Sequence, residues 1–133
     1  MNYMLTNIQE KYRSKLISAE QAASMVKDGM KVSYGSFHTK PIDFDEALAK
    51  RIANGDFRQL DIFIVGTIMP VPQSLLKMAE MSDKGDFGYN TSWYGPLERM
   101  LHGKGVVNFV PIQYQDGTAT RIEPVWHEDL RRD

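Results

Sequence analysis

Cysteine is absent from the 133 residues. That single absence excludes disulfides, thiol catalysis, iron–sulfur clusters and cysteine-ligated zinc. Histidine is scarce: His38, His102 and His127 lie too far apart to suggest a metal motif. Neither sign of charge is in surplus, since 16 Lys and Arg stand against 17 Asp and Glu. Nucleic-acid binders cluster basic residues to displace counterions from phosphates, and no such cluster occurs. Long apolar runs are missing as well. The longest uncharged one, Ile62 to Pro72, is eleven residues broken by Gly66 and two prolines, against the ~20 that a membrane span needs. Glu10 and Lys11 stand where a signal peptide would place its apolar core. These absences predict a soluble, cytoplasmic chain with neither nucleic acid nor membrane as partner.

What is present suffices for a core. Hydrophobic residues make up 42% of the chain, and a chain of this length forms one domain or a piece of one. Ser18 with Gln21 has the spacing of a capping box, so a helix is expected from Ala19 to Asp28, stopped by Gly29. Lys31 to Tyr34 alternates like a short strand. A second helix is expected to open at Asp43, with Glu46 three residues on and Ile42 stapled to Ala47, and to stop at Asn54-Gly55. Leu60 to Val65 is apolar on both faces, as in a parallel strand covered by helices on both sides. Helix Gln73–Met81, strand Phe87–Asn90, helix Pro96–His102 and strand Val106–Val110 follow. This alternation predicts an α/β fold with an open, mostly parallel sheet and flanking helices. The stretch from Gln115 onward is polar and mixed in charge, with Trp126 isolated among Glu and Arg, so residues 117–133 read as a divergent polar tail.

Open parallel sheets bind ligands beyond the carboxyl ends of their strands. Four segments fall there: Gly35 to Pro41, Gly66 to Pro70, Asn90 to Trp93 and Pro111 to Tyr114. The first is richest in polar groups, with Ser36, His38, Thr39 and Lys40, and the following helix would lend its dipole to an anion. Each residue also has a plainer reading. His38 fits an exposed turn, Lys40 a solvated lysine, and Trp93 and Tyr94 core or interface aromatics. The eight methionines fit core gap-fillers, although Met69, Met78 and Met81 could line an acyl pocket. No dinucleotide fingerprint, P-loop or Gly-x-Ser-x-Gly elbow is present. The residues by themselves describe a ligand-competent α/β unit without a visible catalytic set.

Several strings carry a resemblance. Tyr12-Arg13-Ser14-Lys15-Leu16-Ile17-Ser18-Ala19-Glu20-Gln21-Ala22, Lys27-Asp28-Gly29-Met30-Lys31-Val32 and Tyr34-Gly35 come first. Pro41 with Phe44-Asp45-Glu46-Ala47-Leu48-Ala49-Lys50-Arg51, Asn90-Thr91-Ser92-Trp93 with Glu98-Arg99, and Val110-Pro111-Ile112-Gln113-Tyr114 follow in order. Together they resemble the acetyl-CoA hydrolase/transferase family of family I CoA-transferases, especially its butyryl-CoA:acetate and 4-hydroxybutyrate members. The resemblance covers about Tyr12 to Asp116, so residues 1–116 read as the first part of the family's N-terminal half. Thr39-Lys40 departs from the family, which often has Gly close before the proline.

The resemblance implies ping-pong transfer in which a glutamate attacks the acyl-CoA thioester and a glutamyl-CoA thioester forms. It places that glutamate and the oxyanion loop in the C-terminal half, so no catalytic residue is expected here. The implied substrate-binding residues are Gly35, Ser36, Phe37, His38, Thr39, Pro41, Asn90, Ser92 and Trp93. No permanently bound cofactor or metal is expected; CoA and acyl-CoA enter as substrates beside a small carboxylate. A missing C-terminal half or second chain, and a homo-oligomer, are the expected protein partners. Two other readings stand beside this one: a non-enzymatic subunit or remnant domain that binds a partner chain, and an independent small-molecule or sugar-phosphate isomerase-like α/β domain.

Overall fold

Val32, Ile62, Tyr89 and Val107 stand side by side across a four-stranded parallel sheet. That row fixes both the register and the buried face. The computed structural model describes residues 2–111. Its elements are α1 (Asn2–Lys15), α2 (Ala19–Ser24), β1 (Lys31–Ser33), α3 (Ile42–Ala53), β2 (Gln59–Phe63), α4 (Gln73–Glu80), β3 (Asp86–Thr91), α5 (Pro96–His102) and β4 (Val107–Phe109). The strands lie in the order β1-β2-β3-β4. Parallel crossovers are right-handed, so a strictly sequential order sends α3, α4 and α5 to the same face of the sheet.

The core follows from that arrangement. Leu60, Ile62, Ile64, Phe87, Tyr89 and Val107 from the sheet meet Leu48, Ile52, Leu75, Met78 and Leu101 from the helices. On the opposite face Lys31, Ser33 and Asn108 are exposed, and Asp61, Phe63 and Asn90 are half-buried. Helices on both sides of β2 were expected from its unbroken apolar run. Among the described residues they cover one side, and Asp61 marks the open one. Gly88 belongs to that open face because a Cβ there would lie 2.2 Å from Asp61 Oδ1.

Local signals explain most element ends. The Ser18 hydroxyl accepts from Gln21 N–H (3.1 Å) while Ser18 N–H donates to Gln21 Oε1 (2.8 Å), which completes the expected capping box. The helix then ends at Ser24, earlier than Asp28. Arg51 takes over there, donating to the Ala23 and Val26 carbonyls (2.5 and 2.7 Å) at the end of the helix, the former shared with Val26 N–H. Gly29, at φ 78°, therefore closes a later turn rather than the helix, and its N–H donates to Gln59 O (2.8 Å).

Helix α3 differs in its start. Pro41 is its N-cap without a side-chain hydrogen bond, and Ile42 is exposed, so neither the Asp43 box nor the staple forms. Gly55, at φ 80°, follows its end as expected. Helix α1 was not anticipated. Its side chains from Asn7 onward are exposed, including Ile8 and Tyr12 at 62% and 65%. With no buried stripe among these described side chains to betray it, local propensity and Arg13 and Lys15 in the last turn favour it. The divergent tail, Trp126 and His127 lie outside the described residues.

Asp28 clips the approach to β1 onto the start of β2. Its Oδ1 accepts from Arg58 N–H (2.7 Å) and Gln59 N–H (2.8 Å). These bonds hold its carboxyl below the usual carboxylate range. A folded-state pKa below the unfolded one gives stability that is present above about pH 4 and lost as pH falls through the depressed value. Asp28→Asn is therefore expected to lower the melting temperature at pH 7, with the gap to the wild type closing below about pH 4 in thermal denaturation across pH.

Candidate functional site

Three loops leave the carboxyl ends of β1, β2 and β3 and meet at one edge of the sheet. In the first, Ser36 O accepts from both the Thr39 N–H (3.0 Å) and the Thr39 hydroxyl (2.8 Å). Gly35 is needed for this turn, because a Cβ there would come within 2.3 Å of the Thr39 carbonyl oxygen. Phe37 sits at φ 52°, a conformation that costs a non-glycine residue free energy and needs support from its surroundings. That support is a bridge to Thr67 and the bond from Phe37 N–H to Gly66 O (2.9 Å).

The third loop completes the cluster. Phe37 and Trp93 meet edge to face, with ring centroids 6.2 Å apart. Gly66 lies between them: a Cβ there would be 2.8 Å from the Phe37 ring and 3.0 Å from Trp93 Cβ. Trp93 remains 56% exposed, so the pair forms an open aromatic ledge. Thr91, fully buried, donates toward Val65 O and Trp93 O (3.2 and 3.0 Å) and accepts from Trp93 N–H (3.2 Å). Ser92 is half-buried beside Val65 O, at 3.4 Å.

The expected site residues thus divide. Gly35, Ser36, Phe37, Ser92 and Trp93 converge at the edge, while His38 and Thr39 lie exposed on the first loop and Pro41 caps α3. Asn90 belongs to the open sheet face, where its Oδ1 accepts from Asn108 Nδ2 (3.3 Å). The suggested methionine pocket does not form, since Met78 is in the core and Met69 is on the surface.

Lys40 is not a solvated lysine. It is 8% exposed, and its ammonium donates to the carbonyls of Ile68 and Pro70, the latter at 2.8 Å. This pins the second loop, which contains the cis Met69-Pro70 bond, against the first. Burial lowers its pKa, and the nearby Asp45 charge partly opposes the shift.

Two buried acids hold the edge together. Asp45, 4% exposed, accepts from the Tyr34 phenol (2.9 Å), the Ser74 hydroxyl and the Gln73 N–H (2.5 Å). It therefore caps the N-terminus of α4 from a neighbouring helix, a role Pro72 cannot fill. Glu98, fully buried, accepts from Thr67 Oγ1 (2.8 Å), the Tyr89 phenol (2.6 Å) and Gly95 N–H (2.8 Å). Burial pushes both phenols above the ordinary tyrosine range, with Asp45 adding to the effect at Tyr34 and Glu98 at Tyr89.

Sequence reasoning missed these acids. Asp45 and Glu98 enter the sequence only as members of the family strings. The available signal was the Gly95-x-x-Glu98 spacing, a half capping box whose first residue has no side chain. The chemistry follows from where the lone pairs go. Asp43 and Asp45 stand in the first turn of α3, Asp45 caps α4 and Glu98 caps α5. Carboxylates of the chain itself thus meet the starts of α4 and α5 directly, whereas α3 has acidic residues in its first turn but no side-chain cap. Neither buried acid has the freedom of a nucleophile. Among the described residues no group of three or more acidic or histidine side chains could hold a metal ion, and no helix is long and apolar enough to cross a membrane.

Residues 1–121 match the acetyl-CoA hydrolase/transferase N-terminal domain. The chain belongs to this family. A butyryl-CoA:acetate CoA-transferase of Anaerostipes caccae is 33% identical over 110 residues, 83% of this chain and 23% of that protein. A probable butyrate:acetyl-CoA coenzyme A-transferase of Syntrophomonas wolfei is 50% identical over 48 residues, 36% of this chain and 11% of that one. Among solved structures, RipA from Yersinia pestis superposes with a TM-score of 0.68 at 27% identity, over 86% of this chain and 27% of its own. The match thus covers less than a quarter of the length of either transferase.

Removing the Asp45 carboxyl strands a buried phenol, a buried hydroxyl and a helix-end amide at once. Asp45→Ala is expected to cost about 3–4 kcal/mol, read as a lower urea midpoint at an unchanged slope.

Proposed function

We propose that this chain supplies the N-terminal portion of an acyl-CoA:carboxylate CoA-transferase, which moves CoA between an acyl-CoA such as butyryl-CoA and acetate. Membership of the family and the printed activities of its transferase relatives support that substrate class. The single observation that carries the site is the ledge of Phe37, Gly66 and Trp93, built where three strand ends converge and left open to solvent. The Gly35–Pro41 loop and the Ser92–Trp93 segment approach the carboxylic acid there, with CoA and its thioester arriving from solution as substrates.

The nucleophile is a glutamate carboxylate in the family's C-terminal half. It attacks the acyl-CoA thioester carbonyl to give an acyl-glutamyl anhydride and CoA thiolate. The thiolate then attacks the glutamyl carbonyl and expels the donor acid as its carboxylate, so that the enzyme holds CoA as a glutamyl thioester until the acceptor carboxylate takes it by the reverse steps. Asp45 and Glu98 cannot stand in for it, because their oxygens are committed to buried donors. By itself this stretch orients substrate and performs no transfer.

A chimera tests this reading. Residues 1–116 replace the matching stretch of the Anaerostipes caccae transferase, and CoA transfer from butyryl-CoA to acetate, read as acetyl-CoA formed, is followed. Transfer by the chimera, with none by the 133 residues alone, is the expected result. A folded chimera that binds butyryl-CoA but transfers nothing would count against it.

A further inference from the structure

Glu98 is held more elaborately than helix capping requires. A buried carboxylate costs several kcal/mol unless hydrogen bonds compensate it, and an apolar side chain would fill the same space at less cost. What an apolar residue could not do is gather three segments at one point. Tyr89 brings β3, Thr67 brings the β2–α4 loop and Gly95 brings the β3–α5 loop, all within 2.8 Å of a carboxyl oxygen. Thr67 is the bridge partner of Phe37 and follows Gly66, whose carbonyl holds the Phe37 N–H. Gly95 lies two residues beyond Trp93, and a Cβ on it would be 3.3 Å from Trp93 Nε1. Both tethers therefore end on the two sides of the aromatic ledge.

We propose that Glu98 is a positioning residue for the ledge: by tethering Thr67 and Gly95 to one carboxylate it fixes Trp93 against Phe37, without touching substrate. Its bearing on catalysis rests on the CoA-transferase reading, whereas the tether itself does not. Glu98→Gln keeps the volume but puts an amide donor where one carboxyl oxygen accepted. With Oε1 left to Gly95 N–H, the Thr67 and Tyr89 hydroxyls can only accept from Nε2, and the protons they gave Glu98 lose their acceptor. Tyr89→Phe removes only the bond to the strand. Thr67→Val removes only the bond to the second loop.

Two readouts separate tethering from plain stability. In the 133-residue chain carrying Trp126→Phe, emission comes from Trp93 alone. Acrylamide quenching of Trp93 is expected to rise about twofold in Glu98→Gln and in Thr67→Val, because a released loop opens locally without global unfolding, and to stay at the wild-type level in Tyr89→Phe. In the active chimera, Glu98→Gln is expected to raise KM for acetate about tenfold with kcat held within about twofold, the pattern of lost uniform binding. Unchanged quenching in Glu98→Gln, or an equal rise in Tyr89→Phe, overturns the proposal. If Glu98→Gln fails to fold, Thr67→Val against Tyr89→Phe decides it by the same comparison. An inactive parent chimera would overturn the CoA-transferase reading while the quenching result still decides the tether.

Discussion

Sequential parallel strands joined by right-handed crossovers deliver three helix N-termini and three loops to a single edge of the sheet. Each helix start brings unpaired amides and a positive dipole end, and the core brings phenols and hydroxyls that cannot reach water. The structure resolves this crowding with two carboxylates. Asp45, on α3, serves the start of α4 together with Tyr34 and Ser74. Glu98, on α5, serves its own helix start together with Tyr89 and Thr67. The loops are therefore anchored from below, and Phe37 and Trp93 can remain at the surface in a fixed relation. Lys40 adds the lateral clamp between the first two loops.

Much of the fold was legible because it rests on local chemistry. The Ser18–Gln21 box, the stop at Asn54-Gly55, the helix Pro96–His102 and four strands in alternation with helices could all be read directly. What escaped was information held in tertiary contacts. Alternation reveals a parallel sheet but not the strand order, and only the order shows that one face stays open among the described residues. The run around Ile62 looked doubly apolar because Phe63 and Val65 obscured the meaning of Asp61. Helix α1 shows no buried stripe among its described side chains, from Asn7 onward.

The site was legible in place and illegible in mechanism. Strand ends predicted where the loops would gather, and the family strings fall on two of those loops. Lys40 was misjudged because burial of a lysine depends on carbonyls 28 and 30 residues away. Asn90 was grouped with Trp93 by sequence proximity, yet residues two apart on a strand share a face while neighbours do not. Asn90 therefore faces the open side.

The central claim is that the edge built on Asp45 and Glu98 presents the Phe37–Trp93 ledge to substrate. A crystal structure of the full-length chimera with butyryl-CoA bound tests it most directly. The account predicts the acyl-CoA or its carboxylic acid in contact with the Gly35–Pro41 loop or Trp93, with Glu98 still bonded to Thr67 and Gly95. Substrate bound with no atom near these loops would contradict it.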